Sequence, residues 1–471
     1  MRQSMDKETE IKLRVSPAAI TSLREHPLLN RRRTGEWHTG TLYNQYYDTA
    51  ERDLALARVA LRVRRDGEQY IQTLKSKGQS VAGLSERNEW DWPIDGPGLD
   101  LTLLDDSCWP ASLATLDKLL LQPVFTTDFQ RTKALLNWEH EGQPVQVEVA
   151  LDQGQVLADG RAEPICELEL ELRSGPVVAL LELATSLSAD IALIPCDISK
   201  AERGYRLYDP ASYELQLPAH PWSEQTTVDE VVAAAGWQLL GHTQRLAEQY
   251  RFSGQWRLFR ELVARLVDLR AFFSVFDLGV PRSSTQRFTP RLDSLLAEYR
   301  PLVLAGWADD EDGRRAREQA PVLFERTLQD PAWGQLFLGL ALWLHTGGWK
   351  QERPPRGDRV GALALPRWLL AAVAREIQEL RVPHQNDDDR DVQLWLAQQP
   401  RLQRLGFLLG GFRQFLALPQ VDHLYGELNK LQALLEQYPL VDDEVRPALL
   451  LALRKQGQKV RRLDAWRELN R

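Results

Sequence analysis

The sequence predicts a multidomain α+β protein in which an eight-stranded antiparallel β-barrel is followed by an all-α helical-bundle domain. Up to about residue 210, apolar and polar residues alternate with the period of two that is typical of β-strands. Beyond about residue 225, Leu, Ala and Arg recur at the spacing of α-helices. The 471 residues also exceed the roughly 250–300 that one hydrophobic core usually holds, so more than one domain is expected.

Eight segments of the first half alternate as strands do, and few obvious parallel crossovers separate them. Such a pattern favours an antiparallel sheet that closes into a barrel. Helices are predicted at 17–25, 110–121 and 177–188, and Ser16 before Pro17 suits the start of the first. The predicted strands are 8–15, 41–47, 58–65, 69–77, 86–94, 130–138, 144–152 and 165–173.

The second half reads as a series of helices, several of them separated by segments rich in Pro, Gly or Asp. We expect one domain at 1–210 and a second at 226–471, joined by a linker at 211–225. The predicted helices are 228–249, 255–276, 290–304, 318–328, 333–345, 365–379, 401–418, 423–437 and 444–455.

Cysteine use and hydropathy indicate a reduced, soluble, cytoplasmic protein. Cys108, Cys166 and Cys196 lack the spacing of metal ligands and are too few for a disulfide framework. No apolar run approaches the ~18 residues of a membrane span, and the N-terminus lacks the apolar stretch of a signal peptide. We therefore expect neither a membrane nor a nucleic acid as partner, and solvation alone explains the net charge of −8.

Charged residues share one face on many of the predicted strands. The first strand shows the pattern, since Glu8, Glu10 and Lys12 point to the same side. Charged faces of both signs suggest a closed interior in which carboxylates hold Mg²⁺ or Mn²⁺ and basic side chains hold a polyphosphate chain. A solvated sheet with outward salt bridges is the alternative. The pattern continues with Arg62, Arg64, Lys75, Lys77, Arg87, Arg131, Glu148, Asp152, Glu167, Glu169 and Glu171.

These motifs, together with the segment Ser199-Lys200-Ala201-Glu202-Arg203-Gly204, resemble the CYTH superfamily of triphosphate tunnel metalloenzymes, which are built on an eight-stranded antiparallel barrel. The resemblance covers roughly residues 5–208 and includes the motifs in order. The helical half resembles a CHAD domain, and the fusion of the two is similar to bacterial inorganic triphosphatases.

The resemblance implies a tunnel that binds inorganic triphosphate end to end. No Cys or His of this half stands in a motif, so we expect direct in-line attack by water, which gives pyrophosphate and phosphate. Lys77 and Glu167 are weaker candidates, each able to sit in solvent at a tunnel mouth. The implied phosphate ligands are Lys12, Arg62, Arg64, Lys75, Arg87 and Arg131, with Lys200 closing over the site. The implied metal ligands are Glu8, Glu10, Glu169 and Glu171, with Glu148 and Asp152 as further ligands or water-positioning groups. The implied catalytic residues are Glu8, Glu10, Glu169, Glu171 and Lys200.

Two alternatives to an inorganic triphosphatase stay open. A hydrolase or cyclase acting on ATP or thiamine triphosphate would need an aromatic pocket, for which Trp90, Trp92, Tyr46 and Tyr47 are candidates that strand packing also explains. A non-catalytic polyphosphate-binding protein would need the basic residues but not the acidic ones, and both sets are present.

Polyphosphate is a possible partner of the helical half, but its CHAD signature is degraded. The helix 256–270 lacks the expected histidine and carries interleaved acidic residues. Ion pairs at helical spacing are the favoured explanation for its basic residues, and polyphosphate binding is the alternative. These residues are Arg257, Arg260, Arg265 and Arg270.

Overall fold

The protein is represented by a computed structural model that describes residues 6–76, 78–211, 213–387 and 391–470. Two compact units make up the chain. One comprises residues 1–217 with 325–342, and the other comprises residues 218–324 with 343–471.

A closed antiparallel barrel forms the centre of the first unit. Hydrogen bonds join its strands in the order β1-β9-β8-β7-β2-β3-β4-β6, and β6 pairs back with β1 to close the barrel. Two short strands, β5 and β10, add to β6 and β1. The predicted eight-stranded barrel is therefore confirmed. In chain order the elements are β1 (Asp6–Arg14), α1 (Pro17–Glu25), α2 (Pro27–Arg32), β2 (Arg33–Asp48), α3 (Asp53–Leu56), β3 (Ala60–Asp66), β4 (Gln69–Lys75), β5 (Gln79–Val81), β6 (Leu84–Ile94), β7 (Gln122–His140), β8 (Gln143–Ala158), β9 (Arg161–Ser174), α4 (Val178–Leu187), β10 (Ile194–Pro195) and α5 (Lys200–Tyr208).

The period of two separates the inner and outer faces of the barrel wall. Ile11, Leu168 and Leu170 are fully buried on the outer face, where α4 packs on β1 and β9. The alternate residues of the same strands, among them Glu10 and Glu169, point inward. The packed outer layer holds the strands in place and thereby the charged side chains of the inner face.

The predicted helix at 110–121 is wrong. The segment instead forms two separate 3₁₀ turns, Ala111–Leu113 and Lys118–Leu120. Asp117 accepts a hydrogen bond from the backbone N–H of Leu119, which starts the second turn and prevents one continuous helix. Strands β2 and β7 begin about eight residues earlier than predicted, at Arg33 and Gln122, because they pair with each other along most of their length, past two register irregularities near Thr34 and Tyr46.

The second unit is all-α, as predicted. Its first helix begins with a capping box in which Thr227 and Glu230 satisfy each other's backbone N–H groups. Among the described residues, no helix combines the length and apolar character that crossing a bilayer requires. The helices from residue 228 onward are α6 (Val228–Ser253), α7 (Trp256–Val275), α8 (Arg282–Thr285), α9 (Thr289–Ala305), α10 (Glu311–Leu328), α11 (Pro331–His345), α12 (Gly348–Gln351), α13 (Pro355–Gly361), α14 (Leu365–Gln378), α15 (Val392–Leu396), α16 (Gln399–Phe412), α17 (Val421–Gln437), α18 (Arg446–Arg462) and α19 (Asp464–Leu469).

Most of α11 belongs to the first unit by its packing. The Gln335 side chain donates hydrogen bonds to the carbonyls of Ser188 and Ala189, just after α4. Gly334 lies so close to the Leu193 carbonyl that an added Cβ would be 2.4 Å from its oxygen. The domain limits 1–210, 211–225 and 226–471 stay a prediction, and the chain crosses between the units more often than a single linker implies.

Candidate active site in the barrel

A cavity of about 760 Å³ lies inside the barrel of the first unit. Among the described residues, nine basic and eight acidic side chains line it, so the charged faces of the strands do meet in one space. All the predicted site residues except Asp152 and the weaker candidate Glu167 contribute to this lining, while Lys77 lies outside the described residues. The basic residues are Lys12, Arg62, Arg64, Lys75, Arg87, Arg131, Lys133, Arg173 and Lys200. The acidic residues are Glu8, Glu10, Asp66, Glu89, Asp91, Glu148, Glu169 and Glu171.

Strand register creates an acidic row, which we define as Glu8, Glu10, Glu148 and Glu171. Glu10 of β1 lies opposite Glu171 of β9, and Glu171 lies opposite Glu148 of β8. Burial raises the pKa of the Glu171 carboxyl to about 7; Arg173, 2.6 Å away, opposes the rise, and Glu8, Glu148 and Glu10 add to it. The row thus places four carboxylates close together on the inner face of the barrel.

Basic side chains from β4 and β6 border the acidic row. The Lys75 ammonium lies 2.8 Å from a Glu8 carboxylate oxygen and 3.0 Å from Glu89. The Arg87 guanidinium donates to Glu10 at 2.9 Å. Since β4 and β6 pair with each other and β6 pairs with β1, barrel closure brings these groups together.

A basic group, which we define as Arg62, Arg64 and Arg131, lines the same cavity. Burial and the like charges of Arg62 and Arg131 lower the pKa of Arg64 to about 10. The Nε of Arg64 donates to the Asn44 side chain at 2.9 Å, which is a neutral partner. Tyr46 also lines this part of the cavity, hydrogen-bonds to Arg62 and is buried. An anion is the natural complement of this group.

Lys200 lies among three carboxylates at the start of α5. Its Nζ is 2.6 Å from Glu167 Oε2 and 2.8 Å from both Glu169 Oε1 and Asp152 Oδ2. The side-chain oxygen of Ser199 accepts the backbone N–H of Glu202 at 3.1 Å and so caps the helix that carries the lysine. The Ser199 cap fixes where α5 begins. Because Lys200 is the first residue of α5, the cap also fixes the position of its ammonium group.

Close docking of α5 on the barrel depends on Gly204. An added Cβ at this position would lie 2.1 Å from the ring of Phe125 on β7. The Phe125 ring also stacks on Tyr46, with centroids 4.6 Å apart. Only glycine allows this approach, so the residue sets the distance of Lys200 from the cavity.

The expected position of Glu167 at a tunnel mouth is wrong. Its side chain is 0% exposed and contacts both Lys200 and Arg203. The reason is that Arg203 lies one helical turn beyond Lys200 on α5, where it also donates to Glu163 at 2.7 Å. Asp152 is likewise 0% exposed, because Arg131 binds it through two hydrogen bonds of 2.7 and 2.6 Å.

Residues 6–205 match the family model of the CYTH domain. This part of the chain is similar to CYTH domains and takes that name from the match. An inorganic triphosphatase from Haemophilus influenzae is 34% identical over 207 residues, which cover 44% of this chain and 56% of that protein. The similarity thus spans little more than half the length of this curated relative.

Solved structures of low similarity also align with the CYTH domain. A putative adenylyl cyclase from Hippeastrum, described as having a dominant triphosphatase activity, is 23% identical, with 43% of this chain and 96% of that one covered and a TM-score of 0.33. A putative adenylate cyclase from Bacillus halodurans is 21% identical, with coverage of 41% and 94% and a TM-score of 0.26. Scores this low carry no weight for function.

Several residues of the CYTH cavity were missing from the predicted site. Glu89 and Asp91 continue the inward face that begins at Arg87, and Lys133 and Arg173 continue those of Arg131 and Glu171 in the same way. Extending each charged face by one or two steps of two would have found them. The further missed residues that line the cavity are His38, Thr39, Gly40, Leu42, Ala60, Asp66, Thr73, Phe129, Leu172, Ser199 and Ala201.

The aromatic candidates for an organic ligand have other positions. Tyr47, Trp90 and Trp92 belong to a buried apolar cluster with Trp109 and Leu61. Tyr46 lines the cavity, but Phe125 covers one face of its ring. Strand packing therefore accounts for three of the four residues.

The arginines of α7 in the second unit have partners. Arg265 pairs with Asp268 at 2.9 Å, and Arg270 pairs with Asp293 at 2.6 Å. Arg257 lies 3.4 Å from Glu261, and the Arg260 guanidinium lies 3.7 Å above the centre of the Trp307 ring. Ion pairs and ring stacking account for these residues without a bound polyphosphate.

Proposed function

We propose that the CYTH domain of this chain hydrolyses inorganic triphosphate to pyrophosphate and phosphate with the help of a divalent metal ion. The observation that carries the proposal is the presence of two oppositely charged groups in one barrel cavity. Carboxylates of the acidic row can hold a cation, and guanidinium groups of the basic group can hold an anion. A linear polyphosphate with a bound metal ion has this same division of charge.

The basic side chains would hold the phosphate oxygens. Arg62, Arg64 and Arg131 offer planar guanidinium groups that bind phosphate in a bidentate manner. Lys12 lies 3.3 Å from Glu10 and 3.6 Å from Glu169, between the acidic row and the basic group. Lys75 and Arg87 would extend the contacts along the chain of phosphates.

The acidic row would hold Mg²⁺ or Mn²⁺. Its ligands are carboxylate oxygens, which these hard cations prefer. A bound metal ion supplies neutralisation of phosphoryl charge and a more acidic water. In the attack, the water oxygen bonds to a terminal phosphorus, the P–O bond to pyrophosphate breaks, and a carboxylate of the row accepts the proton.

Two findings favour inorganic over organic triphosphate. The curated relative from Haemophilus influenzae is an inorganic triphosphatase. Three of the four aromatic candidates for a base pocket pack in the apolar cluster. A nucleoside or thiazole ring would therefore gain little stacking in this cavity.

The test is phosphate release from tripolyphosphate, ATP and long-chain polyphosphate, each with Mg²⁺, Mn²⁺ or EDTA. We expect fast release from tripolyphosphate that EDTA abolishes. Release from ATP alone would replace the proposal with a nucleotide enzyme. Tight binding without release from any of the three would indicate a polyphosphate-binding protein.

A further inference from the structure

We propose that Lys200 is a built-in cation that occupies the place of a metal ion between Asp152, Glu167 and Glu169. The divalent metal would then bind at the acidic row and not at these three carboxylates. The inference deepens the proposed function and rests on it only for the presence of a metal ion in the cavity.

The geometry around Lys200 resembles that of a bound cation. Carboxylate oxygens of Asp152, Glu167 and Glu169 lie within 4.8 Å of one another, a spacing that would suit a metal ion. The Lys200 ammonium lies 2.6–2.8 Å from one oxygen of each. An ammonium has three N–H donors, so three oxygens saturate it. All three N–H groups of Lys200 are therefore used by the three carboxylates.

The other oxygens of the three carboxylates are also engaged. Arg131 binds Asp152 through two hydrogen bonds and contacts Glu169 as well. Arg203 contacts the second oxygen of Glu167. Three carboxylates therefore face three cations, and a divalent ion added among them would meet a neutral cluster with no surplus negative charge.

The support behind Lys200 is too well packed for the lysine to leave easily. Arg203 is fully buried and joins Glu167 to Glu163, which also binds Arg14 and Arg206 at 2.9 Å. The side chain of Lys200 itself is 8% exposed. A metal ion would have to displace the ammonium from this network, and removing one partner of a buried ion pair is costly.

The first test counts Mn²⁺ ions bound per full-length chain, from the free Mn²⁺ that remains in solution by EPR, in the absence of substrate. We expect Lys200→Ala to bind one Mn²⁺ more than the unchanged protein, because the three carboxylates lose their cation. Lys12→Ala is the matched control, since Lys12 is equally buried and contacts Glu10 and Glu169 but not the other two carboxylates. An equal gain in both variants, or no gain with Lys200→Ala, would overturn the proposal.

A second test keeps Lys200 and so does not depend on the folding of its variant. Asp152→Asn should change the Mn²⁺ affinity less than about threefold, because Asp152 is not a metal ligand in this proposal. Glu171→Gln should weaken the affinity by about tenfold or more, because Glu171 belongs to the acidic row that holds the metal. Equal weakening by both substitutions would assign Asp152 to the metal. Since both tests measure binding without substrate, their result is independent of whether tripolyphosphate is hydrolysed.

Discussion

At the scale of single residues, the same amino acid takes different roles two positions apart on one strand. Glu169 and Glu171 both point into the barrel, yet the pKa of the first carboxyl is lowered and that of the second is raised. Lys200, Arg131 and Lys12 surround Glu169, whereas Glu171 has Arg173 as its partner and lies opposite Glu10 and Glu148.

Replacing Glu10 with Gln is expected to lower metal-dependent phosphate release by about 100-fold or more, because the acidic row loses a charged ligand. Glu139→Gln on β7 is the matched control, since this glutamate is exposed and does not line the cavity. Release rates at saturating Mg²⁺, with circular dichroism to verify folding, make the comparison. Full activity of Glu10→Gln would show that the row does not hold the metal.

The sequence predicts which residues face the cavity better than which residues touch. Period-two alternation is enough to assign Glu10, Arg64 and Arg131 to one inner surface. Contacts depend on register between strands distant in the chain, which no local pattern contains. The role of Lys200 within the buried carboxylates was hidden for this reason.

At the scale of elements, α5 shows how one glycine positions a functional side chain. Gly204→Ala would place a methyl group 2.1 Å from the Phe125 ring, so α5 must shift and carry Lys200 with it. We expect a loss of about 1–3 kcal/mol in the free energy of unfolding and a fall in phosphate release. Thermal unfolding and the release assay measure the two effects.

The control is the same substitution in a helix with free space. An added Cβ at Gly426 of α17 meets nothing within 4 Å, so Gly426→Ala should stabilise slightly through helix propensity. Equal behaviour of the two variants would mean that the approach of α5 to β7 is not restricted by the ring.

Helix α7 provides a pH-dependent test. Burial raises the pKa of the Asp268 carboxyl from 3.8 to about 6, although Arg265 opposes the rise. The folded chain therefore disfavours the charged form, so this group lowers stability progressively as pH rises from about 4 to 6, and the loss is complete above pH 6. Asp268→Asn should increase the hydrogen-exchange protection of α7 by roughly 1–2 kcal/mol at pH 7.5, after allowance for partial exposure, and by nothing at pH 3.5. A difference that is the same at both pH values would contradict the assignment.

Secondary structure was predicted correctly where the hydrophobic period of a segment determines it. The prediction failed where side-chain contacts with nearby residues determine the backbone conformation. Strands β1, β3, β4 and β6 and the long helices α6 and α7 agree with the predicted ranges to within a few residues, whereas β2, β7 and β8 are longer than predicted. The segment 110–121 has helical composition, but the cap at Asp117 and the packing of Trp109, whose indole donates to the Leu113 carbonyl, select 3₁₀ turns.

At the scale of the whole molecule, each of the two units is built from two separate segments of the chain. Among the described residues, all those that line the cavity precede residue 202, yet residues 325–342 pack with the barrel unit. A chain that ends at residue 217 should retain phosphate release but unfold at a lower temperature. The full chain with Gln335→Ala, which loses only the hydrogen bonds to Ser188 and Ala189, should show a smaller decrease. Loss of all turnover in a folded shortened chain would show that the helices complete the site.

Closure of the barrel also sets an order of events during synthesis. The first strand, β1, must pair with β6 and with β9, and the acidic row needs Glu10 from the beginning of the domain beside Glu171 from near its end. Such pairings between distant parts of a chain form slowly, because the entropy cost of closing a long loop comes before the favourable contacts between the strands. Almost the entire domain must therefore be synthesised before all the ligands of the metal site are together. Strand β1, although it is synthesised first, is among the last strands to complete its pairing.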